Sequence, residues 1–172
     1  MATWAQLERA APEVAAVAER VWPGVTRLHR GEAIPEGMHA FDLSYLATVR
    51  RDGGPRVHPF CPILADGRLF AAIARSSPKG WDLRRDPRCV VHALPGPDDD
   101  ELCIRARARE VDDAATSAAV VEVVMRSGVG GMIQSVARDP IFELDLEQVD
   151  VAHWLDVGQP GTRAVRAQWR AG

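Results

Sequence analysis

The feature of this sequence that most constrains its fold is a series of short strand patterns separated by tight turns. From about Phe41 onward apolar and polar residues alternate, which is the two-residue period of a strand with one buried face. Residues 51–54 (RDGG) and 65–68 (ADGR) are turn signals within this pattern. Such turns connect antiparallel neighbours, because parallel strands need a long crossover. The sequence therefore predicts an antiparallel sheet built mostly from hairpins.

Several segments between residues 45 and 169 carry the strand pattern. In the second segment Pro59 and Pro62 cannot donate to a strand ladder, so an edge or a bulge is expected there. In the fifth, Arg105, Arg107 and Arg109 share one face, which predicts a solvated outer face on a half-buried strand. The predicted strands are residues 45–49, 56–64, 69–74, 89–94, 101–111, 141–155 (with a bend) and 162–169.

Helical patterns precede the first strand. Apolar residues recur at steps of three and four between Trp4 and Val21, and Pro12 divides the pattern. We therefore expect N-terminal helices over residues 3–22. Residues 27–38 contain two glycines and a proline and are expected to form a loop.

Two further helices are predicted between strands. One covers residues 77–86, and the other covers 114–126 after the capping pair Asp112 and Asp113. No element is predicted for residues 129–139. Six or so short strands with a few helices are typical of an antiparallel barrel or sandwich of the α+β class.

The composition limits the class of protein. The 172 residues are expected to form one domain over 1–172, with the barrel over about 41–169. The net charge of −3 gives no basic field for nucleic acid, and no apolar run reaches the length of a membrane span.

The cysteines and the N-terminus indicate the compartment. Cys61, Cys89 and Cys103 are odd in number and far apart, which argues against a disulfide framework or a zinc knuckle. The first residues show no basic region followed by an apolar stretch, so no secretory signal is expected. These features predict a cytoplasmic protein.

Lysine occurs once, at Lys79, against twenty arginines. Its ammonium is a compact point charge, unlike the planar arginine fork. Ser77 is a good helix cap and Pro78 suits the first helical position, so amides, hydroxyls and Lys79 could all point at one anion. The segment predicts a site for a phosphate-bearing ligand. The alternative is that a GC-rich genome leaves few lysine codons and one survived by chance.

Two segments resemble a known family. Residues 46–59 (LATVRRDGGPRVHP) resemble the opening hairpin of the pyridoxamine 5′-phosphate oxidase-like family. Residues 77–88 (SPKGWDLRRDPR) are similar to the phosphate segment of that family, in the same order and separated by the turn at 66–67. The resemblance implies a six-stranded antiparallel split β-barrel with flanking helices. It also implies a homodimer with a flavin, usually FMN, at the dimer interface; relatives bind a deazaflavin or heme instead.

The resemblance further implies a set of cofactor-binding residues. Arg56, Val57, His58 and Pro59 match the second strand of the family, and the first two of them match residues that touch the flavin. Ile73 and Ala74 fall near positions whose backbone meets the flavin ring. Ser77 and Lys79 match a serine and a lysine that hold the flavin phosphate.

The chain also departs from the pattern of the true oxidases. Cys61 stands where the oxidase uses a lysine for its substrate, and residues 165–172 do not match the oxidase C-terminus. Pyridoxamine-phosphate oxidase activity is therefore not expected. The resemblance predicts instead a flavin-dependent oxidoreductase acting on an unknown small organic substrate, with no catalytic side chain identified.

Other functions stay open from the sequence. The chain could be a carrier of flavin, deazaflavin or heme without turnover, and His58 or His92 would be the candidate heme ligands. The histidines do not pair at metal-ligand spacing, so no metal site is predicted. His92 is expected in the core or at an interface. Trp81 and Trp169 could stack on a flavin ring or pack a dimer interface, but burial is the expectation for each.

Overall fold

One curled antiparallel sheet organises this protein. A computed structural model describes residues 2–96 and 99–172, and in that part of the chain the sheet contains eight strands. The strands are β1 (Ser44–Val49), β2 (Pro55–Phe60), β3 (Pro62–Ala65), β4 (Arg68–Ala72), β5 (Arg88–Ala93), β6 (Glu101–Glu110), β7 (Ile141–Leu155) and β8 (Arg163–Arg170). The helices are α1 (Trp4–Ala10), α2 (Pro12–Val21), α3 (Pro23–His29), α4 (Pro78–Arg85), α5 (Ala114–Arg126) and α6 (Gly130–Arg138).

The strand order explains why the sheet curls. The order is β2-β1-β5-β6-β7-β4-β3, so β2 and β3 lie at opposite ends. Only Cys61 separates these two strands along the chain. Because one residue spans at most about 3.6 Å, the two ends of the sheet must come together. The predicted α+β class and antiparallel barrel are confirmed, and Pro59 and Pro62 lie on edge strands as expected. The described residues form eight strands, one more than the seven predicted segments, because the segment over 56–64 divides into β2 and β3.

The longest strand, β7, holds three neighbours. It pairs with β6 along most of its length, with β4 over Ile141–Leu144, and with β8 over Gln148–Leu155. Arg105 pairs with Gln148 and Ala106 with Leu146, so Glu147 is an extra residue in the ladder. A bulge bends a strand and increases its twist, and this one accounts for the predicted bend in β7.

The tight turn between β3 and β4 is of the hairpin type that the sequence predicts. Ala65 pairs with Arg68, which leaves Asp66 and Gly67 as a two-residue loop. Both have positive φ angles, 47° and 66°, as a type I′ turn requires.

The N-terminal helices pack against the inner face of the sheet. The rings of Trp4 and Trp22 stack with centroids 5.7 Å apart, and both side chains are buried. The indole N–H of Trp22 donates to Ser44 Oγ of β1 at 3.0 Å. These contacts attach α1 and α2 to the barrel.

Two helices lie where the sequence predicts none. α3 ends at His29, inside the expected loop over 27–38. Its first turn is capped from a distance, because the amides of Gly24 and Val25 donate to Asp42 Oδ2 at 3.0 and 3.1 Å. α6 occupies 130–138, and its Val136 joins α3, α5, β3 and β4 in a second apolar cluster. Both helices are therefore held by contacts with residues distant in the sequence, which a local pattern does not show.

Candidate functional site

The helix α4 begins as the sequence predicts. Ser77 occupies the N-cap position with extended backbone and Pro78 is the first helical residue. The side chain of Ser77 makes no capping hydrogen bond, so its hydroxyl is not used by the helix. The amide of Gly80 donates to the Ser77 carbonyl at 3.0 Å, and Pro78 has no N–H. The Lys79 amide is therefore the donor of this turn that points beyond the helix.

Lys79 connects the start of α4 to β2. Its Nζ donates to the carbonyl oxygen of Pro59 at 3.0 Å. Burial lowers the pKa of Lys79, and the neighbouring Cys61 partly offsets this. An ammonium has three N–H donors, so two stay available after the bond to Pro59. A partly desolvated cation of this kind favours an anionic ligand.

The carboxylate of Asp82 organises the next turn of α4. The residue is only 4% exposed. Its oxygens accept hydrogen bonds from Arg56 Nε at 2.6 Å, from Arg85 at 3.2 Å, and from the Thr48 hydroxyl at 3.2 Å. Burial by itself raises the pKa of Asp82, but these three donors outweigh it and the net pKa lies below the usual value. Asp82 is therefore an ionised anchor.

This anchor orients the guanidinium of Arg56. Arg56 bonds Asp82 through Nε, which leaves the terminal amino groups of its fork for a ligand. The register pairs Arg56 with Thr48, so both side chains lie on the face of the sheet that contacts α4. Such a fork suits the oxygens of a phosphate.

The structure places the eight predicted site residues in two groups. Pro59, Ala74, Ser77 and Lys79 lie together at the start of α4, since the Ser77 amide donates to the Ala74 carbonyl at 2.8 Å. Ile73 is buried beneath this turn, where a Cβ on Gly80 would lie 3.3 Å from Ile73 Cγ2.

The remaining three residues belong to β2, whose two faces differ. Arg56 and His58 lie half-buried on the α4 side of the strand. The side chain of Val57 is on the other face and is 58% exposed, so only its backbone borders the predicted site.

Sequence reasoning missed the groups that support Arg56. Asp82 and Arg85 are one helical turn apart on α4, and that spacing was the available signal for an ion pair. No local pattern relates either residue to Thr48 or Arg56. The predicted burial of Trp81 is wrong within this chain, because its side chain is 57% exposed.

The other candidate groups are less distinctive. Burial raises the pKa of the Cys61 thiol, and it raises that of Cys89 to about 12, so both thiols stay protonated near neutral pH. His92 is exposed on the outer face of the sheet rather than in the core. Within residues 2–96 and 99–172 no three His, Cys, Asp or Glu side chains cluster to hold a metal ion. In the same ranges no helix is long and apolar enough to cross a membrane.

Comparison with known proteins identifies the family. A family model described as pyridoxamine 5′-phosphate oxidase matches residues 31–157, which include all eight predicted site residues. The chain belongs to this family. No curated protein sequence shows significant similarity to it.

Solved structures support the fold. A putative pyridoxamine 5′-phosphate oxidase from Listeria innocua is 20% identical, with a TM-score of 0.52 over 64% of this chain and 87% of that one. HutZ, a heme storage protein from Vibrio cholerae, is 18% identical, with a TM-score of 0.56 over 76% and 93%. A heme-binding protein from Mycobacterium smegmatis is 16% identical, with a TM-score of 0.58 over 88% of this chain and 57% of that one.

Proposed function

We propose that this chain binds a flavin, FMN, by its phosphate at the start of α4 and acts as a flavin-dependent oxidoreductase on a small organic substrate. The observation that carries the proposal is that the start of α4 and the adjoining strand β2 present three donors with hydrogen-bonding capacity left for a ligand. They are the Lys79 ammonium, the Ser77 hydroxyl that the helix leaves free, and the Arg56 fork held by Asp82.

These residues fit a phosphate better than they fit a carboxylate. A phosphate has three outer oxygens and can accept from more donors than a carboxylate, and Arg56 keeps its terminal amino groups available while its Nε bonds Asp82. The free Lys79 amide and the positive end of α4 add to the attraction. The family match supports the same ligand class.

In this arrangement the flavin would carry out the redox chemistry and the protein would bind and orient the flavin. A bound flavin supplies hydride or electron transfer by itself. The chain holds the phosphate and presents the edge of β2 to the rest of the cofactor. We therefore assign no side chain as a general acid or base.

We do not propose oxidation of pyridoxamine phosphate. Cys61 replaces the substrate lysine implied by the family resemblance, and its raised pKa keeps the thiol neutral. A neutral thiol cannot balance the charge of a substrate phosphate as a lysine does.

The second candidate is a carrier of heme, of a flavin or of a deazaflavin, without turnover. The heme proteins from V. cholerae and M. smegmatis have the same fold, which favours this alternative. His58 lies half-buried on the same face of β2 as Arg56 and would be the ligand to test.

The cofactor released from the purified protein distinguishes these candidates. We expect a flavin spectrum, the mass of FMN, and bleaching of the bound cofactor by a nicotinamide donor with reoxidation by an electron acceptor. Release of heme would favour the carrier, as would a flavin that stays oxidised with every donor tried.

A further inference from the structure

A cleft runs along α4 from the proposed phosphate site toward the β1–β2 turn. On the helix side its wall is formed by Pro78, Trp81, Asp82 and Arg85. These positions are i, i+3, i+4 and i+7, so they form one face of the helix. The facing wall contains Arg56 and residues 50–52, and the open space between the two walls has a volume of about 660 Å³. That volume is in the range of small-molecule sites. We call this feature the α4 cleft.

The α4 cleft is positively charged although the whole chain carries −3. Four arginines line it against two aspartates. Asp82 is engaged by Arg56 and Arg85, while Arg50 lies 3.3 Å from Asp52 in an exposed ion pair. Arg51 makes no ion pair or hydrogen bond with any residue in 2–96 and 99–172, so its fork is free. The cleft therefore attracts an anionic group.

The α4 cleft also offers an aromatic surface. Trp81 exposes 57% of its area, which is unusual because tryptophan is normally one of the more buried residues. Pro78 lies one turn earlier on the same face and extends the apolar surface. A flat aromatic group can stack on an exposed indole. Guanidinium groups beside a stacking surface are the combination that recognises a base and its phosphate.

We propose that the α4 cleft binds the adenosine phosphate part of a dinucleotide, with the base on Trp81 and the phosphate at Arg51. The cleft shares Arg56 with the proposed flavin-phosphate site, so a ligand held at Lys79 can continue into it. This continuity rests on the proposed function, whereas recognition of adenosine phosphate does not. A ligand that carries a chain of carboxylates would pair with the arginines but would have no aromatic group to stack on Trp81.

The direct test is calorimetric titration of the purified protein with AMP. Trp81→Leu and Arg51→Gln each weaken AMP binding by about fivefold or more, because each removes one half of the recognition. Arg163→Gln, at an exposed arginine on β8, is the matched control and leaves the affinity unchanged. Trp81 and Arg51 are both exposed, so circular dichroism should show intact folds. The proposal is overturned if AMP binds equally to all four proteins, if millimolar AMP gives no heat, or if triglutamate binds more tightly than AMP.

Two dinucleotides could supply the adenosine phosphate, and the same variants distinguish them. If the source is FAD, the wild-type protein binds FAD more tightly than FMN and Trp81→Leu removes the difference. If the source is a nicotinamide dinucleotide, FAD and FMN bind equally and Trp81→Leu weakens NADH binding. FMN affinity is measured in each variant. If the wild-type protein binds FMN but not AMP, this inference is refuted and the proposed function is not. If the wild-type protein binds AMP but not FMN, the proposed function is refuted and this inference is not.

Discussion

At the scale of single residues, Asp82 connects three parts of the candidate site. It joins α4 to β1 through Thr48 and to β2 through Arg56, while Arg85 closes the cluster from its own helix. The carboxylate is buried and the arginines are partly exposed. Removal of the negative charge therefore releases Arg56 toward solvent instead of leaving a fully buried cation.

We predict that Asp82→Asn lowers the free energy of unfolding by about 1–3 kcal/mol, the range for hydrogen bonds to a charged group. Because the pKa of Asp82 is lowered in the folded state, its contribution is present above the unfolded value of about 3.8 and is lost as pH falls through the folded value. Urea denaturation at pH 7 measures the effect. Asp86→Asn is the control, since within residues 2–96 and 99–172 Asp86 forms an ion pair only with the exposed Arg88 two residues away, and a clearly smaller change is expected. Equal effects of the two substitutions would refute the role of Asp82.

At the scale of elements, close backbone packing positions α3 against the loop before β1. A Cβ on Gly24 would lie 2.0 Å from the His39 carbonyl oxygen, which is too close for any side chain. The same turn of α3 receives its cap from Asp42. Gly24 is therefore required by contact rather than by its φ angle.

We expect Gly24→Ala to destabilise the protein by about 1–3 kcal/mol or more, because the loop over 39–40 must move. Gly131→Ala in α6 is the matched control, since nothing lies within 4 Å of its Cβ position. That change should stabilise by about 0.5–1 kcal/mol, as alanine does in place of glycine within a helix. Thermal unfolding of both variants tests the contrast, and a stable Gly24→Ala protein would contradict the packing.

The elements that could be predicted from sequence are those whose signals are local. The turn at Asp66 and Gly67 and the start of α4 at Ser77 and Pro78 are encoded within a few residues, and the structure has them as expected. α3 could not be predicted, because its cap comes from a distant residue. The Asp42 carboxylate lies 18 residues along the chain from Gly24 and 17 from Val25, whose amides donate to it. Likewise the division of β2 from β3 depends on closure of the whole sheet.

The candidate site likewise contains residues that could be predicted from the sequence and contacts that could not. Lys79 stands out because it is the single lysine beside a helix start, and the family resemblance adds Arg56. The contact of Lys79 with Pro59, and the role of Asp82, depend on how α4 packs across β2. A sequence pattern shows which residues share a helix face but not which strand that face will meet.

At the scale of the whole molecule, the outer face of the sheet suggests a second copy of the chain. Tyr45 and Val57 are 39% and 58% exposed there, and the register places His92 beside Tyr45. Exposed apolar groups on one sheet face are typical of an interaction surface. We propose that this face forms the homodimer that the family resemblance implies.

Light scattering after size exclusion should give about twice the monomer mass of 18.8 kDa. Val57→Glu should shift the protein to the monomer, because a carboxylate would be buried without a partner in the interface. Met125→Glu, at an exposed apolar residue of α5, should keep the dimer. A wild-type monomer, or equal dissociation by both variants, would argue against this face.

We propose that the start of α4 recognises the phosphate of the flavin. The most direct measurement compares the affinities of FMN and riboflavin, by fluorescence quenching, in the wild type, Lys79→Ala and the control Arg163→Ala. We predict that the wild type and the control bind FMN at least about tenfold more tightly than riboflavin, as expected for charge-assisted hydrogen bonds, and that Lys79→Ala loses most of this preference. Equal binding of FMN and riboflavin by the wild type, or an unchanged preference in Lys79→Ala, would contradict the account.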